Sequence, residues 1–579
     1  MISVGPVQEL IAAGRKLRDL WFGSHLLSEL SKAVARELDS QGAVMVFPSP
    51  AENEQLKAKS NLSVANKILA VLPAGIDPAE VVKELRVAWR REWNGYAETA
   101  LENARRKGGV KVDEDLFWAQ IDDLGEFYAS WMPLTSEDTY KCTRDRLEVL
   151  LSGRKSLRGF EAPSWVGAGL RKSSLDGSRE AVIPEKTDER KGFLKQGELL
   201  DALGIIKRFS PVADKRTPHF DDLSELALIP WLHCVNFVDA KAELEAAENE
   251  IISQYPDSKR ADPRQVGPLK LRIYPEYLFD KGLANLPKKI RHDLLGKVKN
   301  ESPDPYTCIL VGDGDKMGDA LDRLSTRVQH QEFSRHLGDF ASEVEGVVSK
   351  HEGSMIYSGG DDVMAYLPLH TALEGVAEIR QTFMARMTAC RDELEIDFPI
   401  PTFSLGLAIV HYIEPLSLSL AYARSAEQNA KKIGGRDALS IILKRRSGGE
   451  TEIHGKWEDK FGGIVQRLNK MGTIHASGDL PATLAYQLRE IEKKCGGNLT
   501  FERVNTGKMF PKNAASALTK RLIAHKDSTS EGSNLGHSLV DDILPDDGNI
   551  RSFSNMLIIA RVFATAKQLA NTPSKGGTQ

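Results

Sequence analysis

Apolar positions fall in two rhythms along this chain. At the start, Ile2-Ser3-Val4-Gly5-Pro6-Val7-Gln8 reads as a short strand and a turn. Leu10, Ile11, Leu17, Leu20 and Trp21, set among Arg15, Lys16 and Arg18, have helical spacing, and a second helix is expected over about 24–38. Gly42 to Pro48 reads as a strand closed by proline, which cannot donate to a ladder. Helices and a shorter strand alternate to about residue 150, giving an α+β lobe. Gly, Ser, Lys and Arg then dominate 151–192, which predicts an irregular, exposed insertion. Residues 193–300 read as mainly helical, with a helix over Phe193 to Phe209.

The most regular pattern spans about 305–445. Tyr306 to Val311 is an unbroken apolar strand, and Phe333 to Lys350 a helix. Ser354 to Tyr357 and Val363 to Leu367 are short strands joined by Gly359-Gly360-Asp361-Asp362. A long helix over 371–394, a strand over Thr402 to Val410, a helix over 416–432 and a last strand over Ala438 to Leu443 follow. The order β-α-β-β-α-β is that of a ferredoxin-like unit. From about 450 onward the chain reads as helical, with polar loops near 526–536 and 544–551 and a frayed end at 573–579.

Composition narrows the picture. Of 579 residues, 41% are hydrophobic and 27% charged, which excludes a disordered, collagen-like or disulfide-stapled chain. The net charge of -4 shows no global basic field, so RNA contact must come from local patches or partner subunits. Arg105-Arg106-Lys107 and Lys444-Arg445-Arg446 are such patches, more often solvated surface than phosphate contacts. Cys142, Cys234, Cys308, Cys390 and Cys495 form no C-x-x-C pair, which fits a reducing cytoplasmic setting. No apolar run suggests a membrane span, and Met1 to Lys16 lacks a signal-peptide layout.

The chemistry concentrates in two motifs. Asp313-Gly314-Asp315-Lys316-Met317-Gly318 follows a buried strand, and Gly359-Gly360-Asp361-Asp362 sits at a hairpin turn. In a β-α-β-β unit the strand and hairpin are neighbours, so Asp313, Asp361 and Asp362 should converge. Clustered carboxylates repel one another unless cations neutralise them. All-oxygen donors favour hard ions, so Mg²⁺ or Mn²⁺ is expected on Asp313, Asp361 and Asp362. Such ions would activate a ribose hydroxyl and stabilise a pyrophosphate leaving group. Gly314, Gly359 and Gly360 let phosphate or sugar approach the backbone beside Asp315. Lys431 is a candidate for the triphosphate and Ser404 for the nucleotide pocket, although a lysine near a helix end commonly only complements the dipole. No phosphate-loop motif is present.

Ile2 to Gln8 can also be laid on Ile309 to Asp315. Pro6 and Gln8 then stand where Asp313 and Asp315 do, so the first of two related lobes would be catalytically silent.

On these residues the chain resembles the large subunit of type III CRISPR effector complexes, within it the type III-B branch. The resemblance rests on Ser3 to Ile11 with Arg15 to Ser24, on Gly197 to Ala202 with Lys207-Arg208, and on Asp313 to Gly318, Gly359 to Asp362 and Ala430-Lys431-Lys432. It implies two ferredoxin-like palm lobes packed face to face with ATP between them, a helical connector and a C-terminal helical bundle. The expected division is 1–192 (silent lobe), 193–300 (connector), 301–447 (catalytic palm) and 448–579 (bundle). The implied reaction joins adenylates 3′–5′ into cyclic oligoadenylate when target RNA is bound. The implied partners are other effector subunits, guide RNA and target RNA.

Two departures qualify it. Relatives often begin with a histidine–aspartate nuclease domain, whereas Met1 leads into the first lobe and His292-Asp293 lies alone mid-chain. Cleavage of single-stranded DNA is therefore not expected of this chain. Relatives also carry zinc on paired cysteines, where Lys172 to Gly177 offers Ser and Asp, so no structural zinc is expected. Three other readings stay open: adenylate transfer to another acceptor such as S-adenosylmethionine, a non-catalytic scaffold, and a diguanylate cyclase. Val363 in place of the usual Phe after the acidic pair weighs against the last.

Overall fold

The first strand, β1 (Ile2–Gly5), is buried along its whole length because it lies inside a sheet rather than at an edge. The computed structural model describes residues 1–50, 53–106, 109–157, 169–183, 197–210, 223–234, 241–297, 302–459, 462–478, 483–494 and 549–571, apart from positions 59, 61, 176 and 397, together with 194, 501–503 and 509–511. After β1 come α1 (Val7–Ala12), α2 (Leu17–Ser40), β2 (Val44–Phe47), β3 (Lys67–Val71), α3 (Pro78–Arg106), α4 (Glu114–Leu124), β4 (Glu126–Ala129) and α5 (Tyr140–Ser156). The sheet order is β2-β3-β1-β4.

The helix boundary expected near residue 24 is absent, and α2 runs straight through Gly23. A Cβ there would lie 1.8 Å from the Leu10 carbonyl oxygen, so this glycine permits the close approach of α1 rather than ending a helix. The break falls earlier, where Asp19 accepts from the backbone N–H groups of Arg15 and Lys16 at 2.9 and 3.0 Å.

The segment after α5 also differs from expectation. Ser173 and Leu175 are buried rather than exposed. Ser174 N–H donates to the Leu199 carbonyl at 2.7 Å and Val182 N–H to that of Leu200 at 2.8 Å. These bonds fold 171–183 against 199–200 on the first lobe. Residues 158–168, 176 and 184–192 of the expected insertion, and the polar loops and frayed end at 526–536, 544–548 and 573–579, lie outside the described residues.

Of the stretch expected to be one helix over 193–209, the described residues 197–201 precede the helix, which is α6 (Ala202–Phe209) and is capped by Asp201 accepting from Gly204 N–H at 2.8 Å, while 193, 195 and 196 lie outside the described residues. The helix carries Lys207 to the Ala13 carbonyl and Arg208 to Asp19 and Glu198. The connector continues as α7 (Leu223–Cys234), α8 (Lys241–Gln254), β5 (Lys259–Val266), β6 (Leu269–Ile273), α9 (Asp280–Asn285) and α10 (Lys288–Lys297). Its β5–β6 hairpin was not expected. β5 is charged, with Pro263 inside the irregular part of its ladder, while β6 alternates with Leu269, Leu271 and Ile273 buried. His292 and Asp293 are exposed on α10.

The second lobe runs β7 (Tyr306–Asp315), α11 (Met317–Leu321), α12 (Arg327–Lys350), β8 (Ser354–Ser358), β9 (Val363–Leu367), α13 (Ala372–Leu394), β10 (Thr402–His411), α14 (Leu416–Lys432), β11 (Ala438–Lys444) and β12 (Glu450–Lys456). Its order is β12-β11-β10-β7-β9-β8. The four strands β10-β7-β9-β8 repeat the order β4-β1-β3-β2 of the first lobe, so β1 and β7 hold equivalent central places. Both faces of the second sheet are covered. Cys308 and Leu310 join the core of α12 and α13, and Ile309 joins the core shared with the first lobe and the connector. That accounts for the unbroken apolar run of β7. β12 lies in the stretch expected to be helical, yet it pairs with β11 from Ala438↔Lys456 to Lys444↔Glu450.

The first long helix of each lobe packs on its own lobe and also reaches the other. α2 packs on β8 and α12 packs on β2. Ser49 N–H donates to Ser334 Oγ at 3.0 Å, Gln331 Nε2 to the Met45 carbonyl at 2.7 Å, and Arg144 Nη1 to the Leu321 carbonyl at 3.0 Å. The C-terminal elements are α15 (Ile464–Ser477), α16 (Leu484–Lys494), the strand pair β13 (Phe501–Arg503) and β14 (Met509–Pro511), and α17 (Ile550–Ala570), which packs on α15 and α16. Among the described residues no helix is long and apolar enough to cross a membrane.

Candidate active site at the end of the central strand

Register brings the acidic motifs together. β7 pairs with β9 from Cys308↔Leu367 to Gly312↔Val363, so Asp313 emerges beside the turn that precedes Val363. Gly314 N–H donates to the Asp361 carbonyl at 3.2 Å, tying strand to turn. The turn is closed by Gly359 N–H to the Asp362 carbonyl at 3.0 Å, and Gly360 holds φ +91°, a backbone conformation that favours glycine.

The three carboxyl groups crowd one another. The Asp362 carboxyl is hydrogen-bonded to that of Asp313. Burial, then the charge of Asp313, pushes the Asp361 carboxyl up to about 6. Asp362 is raised as well, by desolvation first and then by Asp313 and Asp361, although its side chain opens to solvent. Tyr357, at the foot of the turn, is raised by burial and by the same three acids. Such mutual repulsion is relieved by nearby positive charge.

One cation already stands there. Lys431, from the last turn of α14, contacts Asp313 and is 2.6 Å from Glu427 Oε1. Burial opposes its charge, but the two carboxylates outweigh it and raise its pKa. Glu427 was not singled out from the sequence. Its signal is the i,i+4 spacing to Lys431 on the helix face turned to the acids. Arg424, one turn earlier on α14, interacts electrostatically with Asp362.

Asp315 and Ser404 separate from this group. Ser404 is fully buried, and its hydroxyl donates to Asp315. Asp315 also accepts from Thr402 Oγ1 and from Asp437 N–H, each at 2.9 Å. With its acceptor sites filled and 2% exposure, Asp315 locks β7 to β10 and to the loop after α14. The expectation that Ser404 and Asp315 face a nucleotide is corrected accordingly, because neither offers a free surface.

A cleft of about 440 Å³ opens between the lobes next to the turn. α2 lines it with Trp21, Ser24 and His25, α12 with Arg335 and Asp339, and β8 with Tyr357 and Ser358. It lies between α2 of the first lobe and α12 and β8 of the second.

Against known proteins, residues 306–440 match the family described as Cas10/Cmr2, second palm domain, and residues 1–98 match CRISPR-associated protein Cmr2, N-terminal. The CRISPR system Cmr subunit Cmr2 of Pyrococcus furiosus is 26% identical over 560 residues, covering 77% of this chain and 61% of that protein. The corresponding CMR subunit of Saccharolobus solfataricus is 31% identical over 83 residues, 12% of this chain and 8% of that one. The chain thus spans less than two thirds of the length of these curated relatives. Among solved structures, a type III-B Cmr-beta complex in its apo state superposes with a TM-score of 0.64 at 13% identity, covering 98% of this chain and 81% of that one. A Cmr-beta complex bound to cognate target RNA gives 0.65 at 14%, covering 98% and 82%. At such identities the likeness speaks for the fold.

Proposed function

The chain belongs to the Cas10/Cmr2 family of type III CRISPR large subunits, and from that premise we propose that it is an ATP-using nucleotidyltransferase making 3′–5′ linked, cyclic oligoadenylates as second messengers. The observation that carries this reading is the convergence of Asp313 with Asp361 and Asp362 at the end of β7, beside the cleft between the lobes. In the reaction a ribose 3′-hydroxyl gives up its proton to water as its oxygen bonds to the α-phosphorus of a second ATP, the α-phosphorus–oxygen bond to the β-phosphate breaks, and pyrophosphate leaves with those electrons.

Asp313, Asp361 and Asp362 form an all-oxygen, mutually repelling donor set that fits Mg²⁺ or Mn²⁺. A divalent ion bound there supplies a charge that favours the hydroxyl's deprotonation and offsets the charge developing on the leaving group. The protein positions the rest. The Gly359-Gly360 turn leaves its backbone open to a phosphate or sugar, and Gly360 supplies the required φ. Lys431 offers an ammonium that can pass from Asp313 to a phosphate once the acids are otherwise neutralised. The Asp315–Ser404 lock fixes the strand end from which Asp313 projects.

The first lobe presents Pro6 after β1, where the second presents Asp313 after Gly312, so it lends a wall to the cleft and no acid at that position. We take the chain to work inside a type III effector complex with other subunits, guide RNA and target RNA. A Cmr-beta chain bound to cognate target RNA shares the fold over 98% of this chain.

The test is ATP turnover by the reconstituted complex with target RNA, read by mass spectrometry. Cyclic adenylates support the reading. Adenylate joined to a different small molecule would replace it with transfer to another acceptor. Absence of ATP and Mg²⁺ binding by the complex would favour a scaffold.

A further inference from the structure

A second polar cluster lies away from the acids. His233 is in the last turn of α7, Glu352 in the turn after α12, and His370 in the turn between β9 and α13. His233 Nε2 lies 2.8 Å from both Glu352 oxygens, and His370 Nε2 lies 3.1 Å from Oε2. The imidazole centroids are 5.2 Å apart at 51°. One ligand atom from each of the three side chains lies within 4.8 Å of the others.

We propose that His233, Glu352 and His370 bind a divalent transition-metal ion, Zn²⁺ by preference, which ties the connector to the second lobe. Both imidazoles aim the same nitrogen, Nε2, at one carboxylate, so three donors converge from three separate stretches of chain. An ion about 2.0–2.1 Å from each nitrogen is reached by small side-chain adjustments, and His233 is exposed enough to make them. Two nitrogens and one oxygen suit zinc rather than magnesium, which selects oxygen alone. Three protein ligands leave a fourth position for water, and the half-exposed setting gives an entry path.

The second lobe holds two of the ligands firmly. Thr371 Oγ1 donates to the His351 carbonyl at 2.7 Å, joining the turns that carry Glu352 and His370. Glu352 itself adopts φ 57°, a conformation uncommon outside glycine, and its N–H donates to the Ser349 carbonyl at 3.0 Å. His233 arrives from the connector, so an ion would cross-link two parts of the fold. The site is distinct from the acidic cluster. Asp362 precedes β9 and His370 follows it, and a five-residue strand separates their ends by roughly 17 Å. The donor set contains no sulfur, which is why a search for paired cysteines passes over it.

The test uses the full chain, stripped with chelator and titrated with Zn²⁺ alone, the bound metal being measured by mass spectrometry after equilibrium dialysis. The wild type is expected to bind one equivalent more than a His233→Ala, His370→Ala variant, and Zn²⁺ is expected to raise the unfolding midpoint of the wild type only. Co²⁺ in the wild type should give tetrahedral d–d bands without a thiolate charge-transfer band. Glu352→Gln keeps the shape of the cluster, provides a folded variant should the double one misfold, and is expected to weaken Zn²⁺ about tenfold or more. Equal zinc binding by the wild type and the folded variants, or a thiolate band in the Co²⁺ spectrum, would overturn the assignment. None of these readings depends on ATP turnover.

Discussion

Ser404 donates its hydroxyl to both carboxylate oxygens of Asp315, at 2.9 and 2.8 Å, at a point where neither residue reaches solvent. Asp313, two residues back along β7, is thereby held at a fixed height above the Gly359–Asp362 turn. Removing the donor leaves a buried carboxylate short of a partner. Ser404→Ala is therefore expected to destabilise the second lobe by about 1–3 kcal/mol while ATP binding is retained. Denaturant unfolding and nucleotide titration of the same sample check both halves.

Arg208 binds Asp19 and Glu198 together, with Nη2 2.8 Å from Asp19 Oδ2 and 3.0 Å from Glu198 Oε1. All three are buried. Burial works against the Asp19 charge, but Arg208 prevails and holds its carboxyl below the usual range. Arg208→Leu would strand two buried carboxylates and is expected to cost about 3–5 kcal/mol, read as a lower denaturant midpoint. Asp19 also caps α2, so Asp19→Ala should lower helix content by circular dichroism, which Glu198→Ala should not.

Tyr140 and His330 share a hydrogen bond of 2.7 Å across the junction of the two lobes. Burial, then the charges of Arg144 and Lys67, depress His330 to about 4, below its unfolded value near 6.5. A group depressed in this way binds fewer protons folded than unfolded between those two values. Stability therefore falls as pH drops from about 6.5 to about 4, by on the order of 2–3 kcal/mol. His330→Asn should flatten that slope in denaturation curves taken across the interval.

Gly360 occupies φ +91° with open space around its α-carbon, so a methyl group there meets backbone strain rather than a clash. Gly360→Ala is expected to cost about 1–2 kcal/mol and to lower adenylate turnover by shifting the turn that carries Asp361 and Asp362. Gly75→Ala, at φ +87° on the surface of the first lobe, is the control: a similar stability cost with turnover intact.

Legibility in the sequence followed local density of signal. β7 was readable because both its faces are buried, leaving an unbroken apolar run, and the acids were legible at the end of that run and in the hairpin turn. The packing of α2 on β8 and of α12 on β2 was not readable, since it depends on how two similar sheets meet. β12 and β5 were missed because their polar residues outnumber the apolar ones that give a strand its alternation. Ser404 was drawn into the nucleotide site because sequence gives its strand but not that its hydroxyl is engaged by Asp315. Glu427 offers only its i,i+4 spacing to Lys431, the trio of His233, Glu352 and His370 carries no local pattern, and only the folded chain brings them to their partners.

The most direct measurement is product formation by the reconstituted complex with ATP, Mg²⁺ or Mn²⁺ and target RNA, comparing the wild type with Asp313→Ala and with Asp361→Ala, Asp362→Ala. The account predicts RNA-dependent cyclic adenylates from the wild type, their loss on chelation of the metal, and turnover at least about a hundredfold lower in either variant, as when a transition-state interaction is removed. Undiminished turnover in folded complexes of both variants would contradict it.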